Sequence, residues 1–422
     1  MRVRLLCVGA VAAALMAGMT GMSTTASAAS SVPGVTSKTI SIGFIGNLTG
    51  VASSTFFDSV GGVQARIDLQ NASGGVNGRK LSVITKNDTS SPTTDQSVAQ
   101  ELVNAGVFGV VGDSSFLFSG ARTLQQAGVP VTGAAFDGPE WGQKPYTNMF
   151  SYIPVTETPF NGQVHNYDYW GPFMKSVGVT KIAGLAYGIS PSAKAAVATT
   201  LASANKHGIP TCYADNSVPF GGVDFTADAL AIRSAGCNGV AVALVDSSDV
   251  AVAQALKNGG VKAKSFLSGT GYDQAVASNQ SSMAALEGGY ADATVNFTTP
   301  NSATQGMLDA LKKYDKQYHG GVPDFGTIVA YLSTDLMIKG MQAAGKNLTQ
   351  SGFISAMYNK VKTYDAAGIL ASPNTFSLKT FGTVDMLPKT ACTYWIGIQN
   401  GKYVTANGGK PGCGGLVSAP SP

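Results

Sequence analysis

Histidine and cysteine, the side chains most often used for catalysis and metal binding, are few in this chain. Its three histidines, His165, His207 and His319, are far apart, and its five cysteines include no CxxC pair, so metal-ligand spacing is absent. The sequence has no G-x-S-x-G, H-E-x-x-H or G-x-x-x-x-G-K-[ST] motif. A Ser/His/Asp triad stays open as an alternative, because its members need only meet in space. We therefore expect a protein that is not an enzyme and carries no metal or cofactor.

Hydroxyl and aromatic side chains are concentrated in loops that follow predicted strands. Ser114 and Ser115 come shortly after an apolar strand at 107–111, where hydroxyls and free N–H groups suit an anion. The simpler interpretation is that they cap the following helix. Aromatic side chains at a cleft could shield an apolar or aromatic ligand, or could simply belong to the core. By position, the best candidates are Phe56, Phe116 and Phe136.

The order of the predicted elements indicates an α/β fold. Residues 39–88 form one βαβ unit, with an apolar strand, a Gly/Ser/Thr loop, a helix, a glycine turn and a second strand. The alternation continues to about residue 153, and a second series begins with a predicted helix at 158–177. Two such series predict two doubly wound parallel-sheet lobes. In such sheets a ligand lies in the crevice outside the carboxyl ends of the strands.

The first 28 residues have the features of an export signal. Arg2 and Arg4 precede an apolar stretch, and Ala26-Ser27-Ala28 fits a cleavage site for a signal peptide over 1–28. A membrane anchor is the alternative, but the apolar run is shorter than the roughly 20 residues that span a bilayer. Cys7 lies ahead of the apolar run, which is wrong for a lipoprotein. We expect an exported protein, in the periplasm or at the cell exterior, without a lipid anchor or a later membrane span.

Charge and cysteine content support this location. The formal net charge is only +4, and 12% of residues are charged while 44% are hydrophobic, which gives no reason to expect nucleic acid as a partner. An even number of cysteines remains after Cys7, and an oxidising compartment favours disulfides. Three connectivities are open. We prefer Cys212–Cys237 and Cys392–Cys413, because each closes a local loop.

The stretches SIGFIGNLTG, NASGGVNGRKLSVITKND, VVGDSS and GVPVTG, in this order after an export signal, resemble the branched-chain amino-acid (Leu/Ile/Val)-binding family of periplasmic solute receptors for ABC transporters. The resemblance implies the type I periplasmic binding protein fold: two lobes joined by three crossovers, here near Pro154, Ala291 and Lys346, with a small ligand clamped between them. It places lobe 1 at 38–154 plus 291–345, lobe 2 at 155–290 plus 346–413, and a flexible tail at 414–422. It also implies an ABC permease as partner of a monomeric receptor.

The resemblance extends to candidate ligand-binding residues in the first lobe. Family members hold a ligand carboxylate with groups after the third and fourth strands, and the matching residues are Ser114, Ser115, Ala135 and Phe136. The expected ligand is an amino acid, an amide or a small carboxylate. An exported sensor or scavenger of the same fold, without a transporter, is the alternative function.

The second lobe departs from the family pattern. Ser190-Pro191-Ser192 replaces the usual Tyr-Gly pair, so Tyr187 is the candidate substitute. The family carboxylate that pairs with a ligand ammonium would fall near Gly271, in a loop that also offers Thr270 and Tyr272. Because a buried ammonium needs a counter-charge, either Asp246 or Asp273 supplies it or the ligand is not an α-amino acid. The simpler interpretation of both aspartates is helix N-capping.

Overall fold

The computed structural model describes residues 32–422. The predicted signal peptide therefore lies outside the described residues. Within them, no helix is both long enough and apolar enough to cross a membrane. The strands are β1 (Thr39–Gly46), β2 (Lys80–Asn87), β3 (Val110–Asp113), β4 (Val131–Gly133), β5 (Met149–Ser151), β6 (Gln163–Tyr167), β7 (Ile182–Tyr187), β8 (Thr211–Val218), β9 (Gly239–Ala243), β10 (Lys264–Leu267), β11 (Tyr290–Ala293), β12 (Thr363–Tyr364), β13 (Asn374–Thr375), β14 (Thr390–Gln399), β15 (Lys402–Thr405) and β16 (Gly412–Pro420).

The helices alternate with these strands as the sequence predicts. They are α1 (Ser59–Ala72), α2 (Pro92–Asn104), α3 (Leu117–Gln126), α4 (Trp170–Ser176), α5 (Pro191–Lys206), α6 (Thr226–Ala235), α7 (Asp246–Asn258), α8 (Gln274–Ser278), α9 (Gln280–Leu286), α10 (Ser302–Tyr314), α11 (Phe325–Ala344) and α12 (Gln350–Ala356). Several begin at the caps that their sequences favour: the Ser91 side chain accepts from the Thr94 N–H at the start of α2, and the Ser190 side chain accepts from the Ala193 N–H at the start of α5.

Two sheets form the centres of two lobes. The first has the order β2-β1-β3-β4-β5, and all its neighbouring strands are parallel. The second has the order β6-β16-β14-β11-β10-β9-β7-β8, with β15 paired to β14, and it is parallel from β8 to β11 and antiparallel beyond. The α/β prediction with two parallel-sheet lobes is confirmed, with an antiparallel extension that the sequence analysis did not predict.

The chain passes between the sheets at three places. It leaves the first sheet after β5, leaves the second after β11 and returns to it at β14. The sequence predicts a crossover near Pro154, which lies between β5 and β6. The one near Ala291 falls inside β11, a few residues early.

The predicted crossover near Lys346 is much too early. The Gln350 amide donates to the carbonyls of Val107 and Phe108, the Tyr358 hydroxyl donates to the Thr147 carbonyl, and Asn374 donates to the Ser151 carbonyl. These contacts keep residues 350–376 on the first lobe.

The C-terminal residues also differ from the prediction. Residues 414–422 were expected to form a flexible tail, but β16 pairs with β14 on one side and with β6 on the other. The predicted helix at 158–177 is wrong in its first half, because β6 lies within that half and contains His165.

Both predicted disulfides are present. Cys212 on β8 is bonded to Cys237, which precedes β9, and Cys392 on β14 is bonded to Cys413, its direct partner on β16.

Candidate functional site

A single cavity of about 250 Å³ lies where the two lobes meet. Loops after β1, β3 and β4 of the first lobe reach it, and loops after β7, β8, β9 and β10 of the second face them. This is the edge at which the carboxyl ends of parallel strands gather. Ligand pockets usually measure roughly 300–1,000 Å³, so the volume favours a small ligand.

Most of the candidate residues come together around this cavity. Those that line it are Phe56, Ser115, Phe116, Ala135, Phe136, Tyr187, Thr270 and Tyr272. Ser114, Asp246 and Asp273 do not line it. All three are buried, and each is hydrogen-bonded within the protein.

The cavity has two parts. We use the mouth for the part between the lobes, lined by Phe56, Ser115, Phe116, Phe136, Phe220 and Thr270, and the deep arm for the part between α5 and the second sheet, lined by Glu157, Tyr169, Trp170, Ala193, Ala196 and Asp292.

The polar groups at the strand ends beside the mouth are hydrogen-bonded to one another. The Ser114 hydroxyl donates to the Asp88 carboxylate, and the Asn47 side-chain amide donates to the same carboxylate at 2.6 Å. The Ser115 N–H donates to Asn47 Oδ1 at 2.8 Å, and the Phe116 N–H donates to Ser114 Oγ at 2.9 Å. Burial raises the pKa of Asp88, although the bonds from Ser114 and Asn47 lower it.

The two remaining donors predicted for a ligand carboxylate are also in use. The Ala135 N–H donates to Ser151 Oγ at 3.0 Å, and the Phe136 N–H donates to the Ala134 carbonyl at 2.9 Å. A ligand carboxylate would therefore have to displace existing hydrogen bonds in the mouth, close to the buried Asp88.

Aromatic rings form the walls of the mouth. Phe325, at the start of α11, packs against Phe56 with ring centroids 5.8 Å apart and against Phe136 at 5.5 Å. Phe220, in the loop after β8, lies 5.2 Å from Phe116 and 5.0 Å from Tyr187. Phe116 belongs to the first lobe and Phe220 to the second, so this pair closes the mouth from both sides.

Sequence reasoning missed Phe220 and Phe325. Neither follows a strand of the first sheet, the position that predicts the aromatic candidates Phe56, Phe116 and Phe136. The start of α11 next to Asp324 was a usable signal for Phe325, because a long apolar helix after a crossover begins beside the other lobe.

Asp246 connects the lobes. Its Oδ1 accepts hydrogen bonds from Ser54 Oγ and Thr55 Oγ1, each at 2.7 Å, and its N–H donates to Thr55 Oγ1 at 3.1 Å. Ser54 and Thr55 follow β1 in the first lobe, and Asp246 begins α7 in the second. A second bond across the lobes runs from the Gln274 N–H to Asp324 Oδ1 at 2.8 Å. The geometry gives Asp246 a structural contact between lobes and not a position in the cavity.

Asp273 is a helix cap, as the simpler interpretation predicts. Its Oδ1 accepts from the Val276 N–H at 2.6 Å at the start of α8. Burial and the negative charge of Asp246 raise its pKa to about 8. Tyr187 presents its ring to the cavity while its hydroxyl donates to Ser248 Oγ at 2.7 Å and accepts from the Val245 N–H.

Two carboxyl groups line the deep arm, and the sequence analysis identified neither. Burial raises the pKa of Glu157 to about 7, and the nearby Ser192 hydroxyl opposes this. Burial also raises the pKa of Asp292 to about 7, against the lowering effect of a backbone N–H and the Thr393 hydroxyl. Both residues are partly buried, and both line the cavity. Among the described residues, Glu157 Oε2 has no hydrogen-bond partner.

Two lobes around a central cavity define the class of protein as a ligand-binding receptor. The family model described as periplasmic binding protein matches residues 39–387, and the chain belongs to this family. It is therefore an extracytoplasmic solute-binding receptor.

Individual relatives agree with this assignment. The chain is 25% identical over 357 residues to the Leu/Ile/Val-binding protein homolog 3 of Brucella melitensis, which covers 79% of this chain and 89% of that protein. It is similar in structure to a fatty acid ABC transporter substrate-binding protein from Thermomonospora curvata, with a TM-score of 0.71, 18% identity, and coverage of 90% of this chain and 94% of that one. A branched-chain amino acid transporter substrate-binding protein from Streptococcus pneumoniae in complex with isoleucine gives a TM-score of 0.67, 19% identity, and coverage of 87% and 98%.

Proposed function

We propose that this receptor binds a small, largely apolar ligand between its two lobes and delivers it to an ABC permease. The observation that carries the proposal is the cavity itself, because aromatic rings from both lobes surround it. A ligand that contacts both lobes binds the closed form better than the open one, and only that difference in affinity can drive closure. The fold relatives named above, which are transporter receptors, support delivery to a permease.

Contact with the ligand is assigned to the candidate residues that line the cavity. In the mouth, the Ser115 hydroxyl and the Phe56, Phe116 and Phe136 rings are the proposed contacts from the first lobe. The second lobe contributes the Tyr187 ring, Thr270 and Tyr272. We place lobe 1 at residues 32–153 and 295–388 and lobe 2 at residues 154–294 and 389–422, following the sheets and the contacts of residues 350–376. The receptor acts as an exported monomer without a lipid anchor.

A thermal-shift screen of the mature protein tests this proposal. The screen uses amines, alcohols, amides, amino acids and carboxylates with apolar bodies. Binding to the native state raises the melting temperature, by about 2.7 kcal/mol of stabilisation at a hundredfold excess over Kd. We expect selective stabilisation by one chemical class. Absence of any shift across all classes would contradict a small-molecule receptor.

A further inference from the structure

The deep arm distinguishes among the ligand classes that the proposed function leaves open. Among the described residues that line the cavity there are two carboxyl groups, Glu157 and Asp292, and no lysine, arginine or histidine. Of the two structurally similar proteins described above, one is a fatty acid transporter receptor and the other is in complex with isoleucine. Fatty acids and isoleucine both carry a carboxylate. An anion in this cavity would meet negative groups without a cation to pair with.

The mouth reinforces this argument. The N–H groups of Ser115, Phe116, Ala135 and Phe136 already donate within the protein. The network that occupies the first two includes the buried carboxylate of Asp88. The four N–H groups at the first-lobe strand ends are therefore not free to hold a ligand carboxylate.

Glu157 and Asp292 lie around the same part of the deep arm. Tyr169 lies between them. Its ring is 5.8 Å from that of Trp395, the cross-strand partner of Asp292. Its hydroxyl donates to Asn166 Oδ1 at 3.3 Å, and the neighbouring His165 N–H donates to the carbonyl of Thr156, the residue before Glu157.

The other titratable neighbours are Asp137, Tyr272 and His165. Burial lowers the pKa of His165, which keeps its ring neutral. None of these neighbours is a cation, and Glu157 Oε2 has no partner among the described residues.

The rest of the deep arm is shaped for an apolar body. Ala193, Ala196, Val197 and Thr200 recur at helical spacing along α5 and line the cavity. The α5 side of the deep arm therefore consists of small, mostly apolar side chains.

We propose that the ligand is an apolar or aromatic amine whose nitrogen pairs with Glu157 and Asp292 in the deep arm. The inference rests on the proposed function and narrows it to a substrate class. Hydrogen bonds to charged partners are stronger than neutral ones and fix orientation. The aromatic mouth then holds the apolar body, while the nitrogen lies beside the Glu157 and Asp292 carboxyls.

Calorimetry with matched compounds tests the inference. The panel contains 3-phenylpropylamine, 3-phenylpropan-1-ol and 3-phenylpropionate, together with the same three groups on cyclohexyl and linear alkyl bodies. We expect the amine to bind at least about tenfold more tightly than the carboxylate with the same body, as one charge-assisted hydrogen bond provides.

Two variants assign the effect to the deep arm. Glu157→Gln and Asp292→Asn keep the shape of each side chain and remove a buried charge, so we expect both to fold. Each should weaken amine binding by about tenfold and leave alcohol binding unchanged. Asp309→Asn is the matched control, because Asp309 is an exposed carboxylate on α10 outside this cavity.

The possible results separate the inference from the proposed function. Tighter binding of carboxylates than amines, or amine affinity that neither variant changes, would overturn the amine assignment and leave the solute receptor in place. No binding by any member of this panel or of the broader thermal-shift screen would overturn both.

Discussion

The polar groups beside the mouth and those of the deep arm differ in whether they have hydrogen-bond partners within the protein. Behind the mouth, Asn47, Asp88 and Ser114, which do not line the cavity, bond to one another. In the deep arm, Glu157 Oε2 is left without a partner among the described residues. A network in which each polar group has a hydrogen-bond partner makes the cavity wall rigid. An unpaired buried polar group costs free energy until a partner forms a hydrogen bond with it. Under the proposed function, the mouth would provide shape and the deep arm would provide chemical selectivity.

Filling the deep arm should have the largest effect. Ala196→Phe places a ring where the ligand's polar end would lie, so affinity for a ligand that reaches the carboxyls should fall by about a hundredfold, in line with the cost of overpacking a filled site. Calorimetry measures the loss. Ala227→Phe, at an exposed position on α6, is the control and should bind normally. Unchanged affinity in Ala196→Phe would mean that the ligand stops in the mouth.

Removing a ring from the mouth should have the next largest effect. Phe220→Ala deletes the contact with Phe116 and Tyr187, and affinity should fall by about tenfold or more for every apolar ligand, as expected when a buried aromatic contact is truncated. The control is Phe57→Ala, because Phe57 is 45% exposed. Equal ligand affinities of the two variants would show that the Phe220 ring does not contribute to binding.

Breaking the contact between the lobes should have a smaller and uniform effect. Asp246→Ala removes the acceptor of the Ser54 and Thr55 hydroxyls, and closure should become less favourable, which weakens every ligand by the same factor of about ten. Combining it with Ser54→Ala and Thr55→Val should add little, since the same hydrogen bonds are lost. A change in the order of ligand preference would place Asp246 in the binding site instead.

The pH dependence of stability should show the smallest effect. The folded pKa of Glu157, about 7, exceeds the value of 4.5 for an ordinary glutamate, so the native state holds a proton that the unfolded chain releases. Its contribution to stability is therefore lost as pH rises from about 4 to 7. At pH 8, Glu157→Gln should be about 1–3 kcal/mol more stable than the parent in urea unfolding, and the gap should close near pH 4. A gap independent of pH would show that Glu157 titrates normally.

The sequence predicted the first lobe and the mouth better than the rest. The βαβ order, the strand-end loops and both disulfides could be predicted because they depend on local pattern and on cysteine spacing. β6 and β16 could not, because each is defined by pairing with the other across about 250 residues of chain. A Gly- and Ser-rich segment without alternation gives no local signal of such pairing.

The deep arm was missed for a related reason. Glu157 lies several residues beyond β5, and Asp292 lies within β11 near its carboxyl end, so neither belongs to the strand-end loops from which the candidates were predicted. Only the curling of the second sheet beneath α5 places both carboxyls beside one cavity. Asp246 and Asp273 were the natural candidates from sequence, but the first contacts the other lobe and the second caps a helix.

The hydrogen bonds from Ser54 and Thr55 to Asp246 have a consequence for how such a receptor can be tuned. None of these three side chains lines the cavity, so they influence the balance of open and closed forms without meeting the ligand. Substitutions at these positions would change the ligand concentration at which the receptor closes. The compound that it responds to would stay the same.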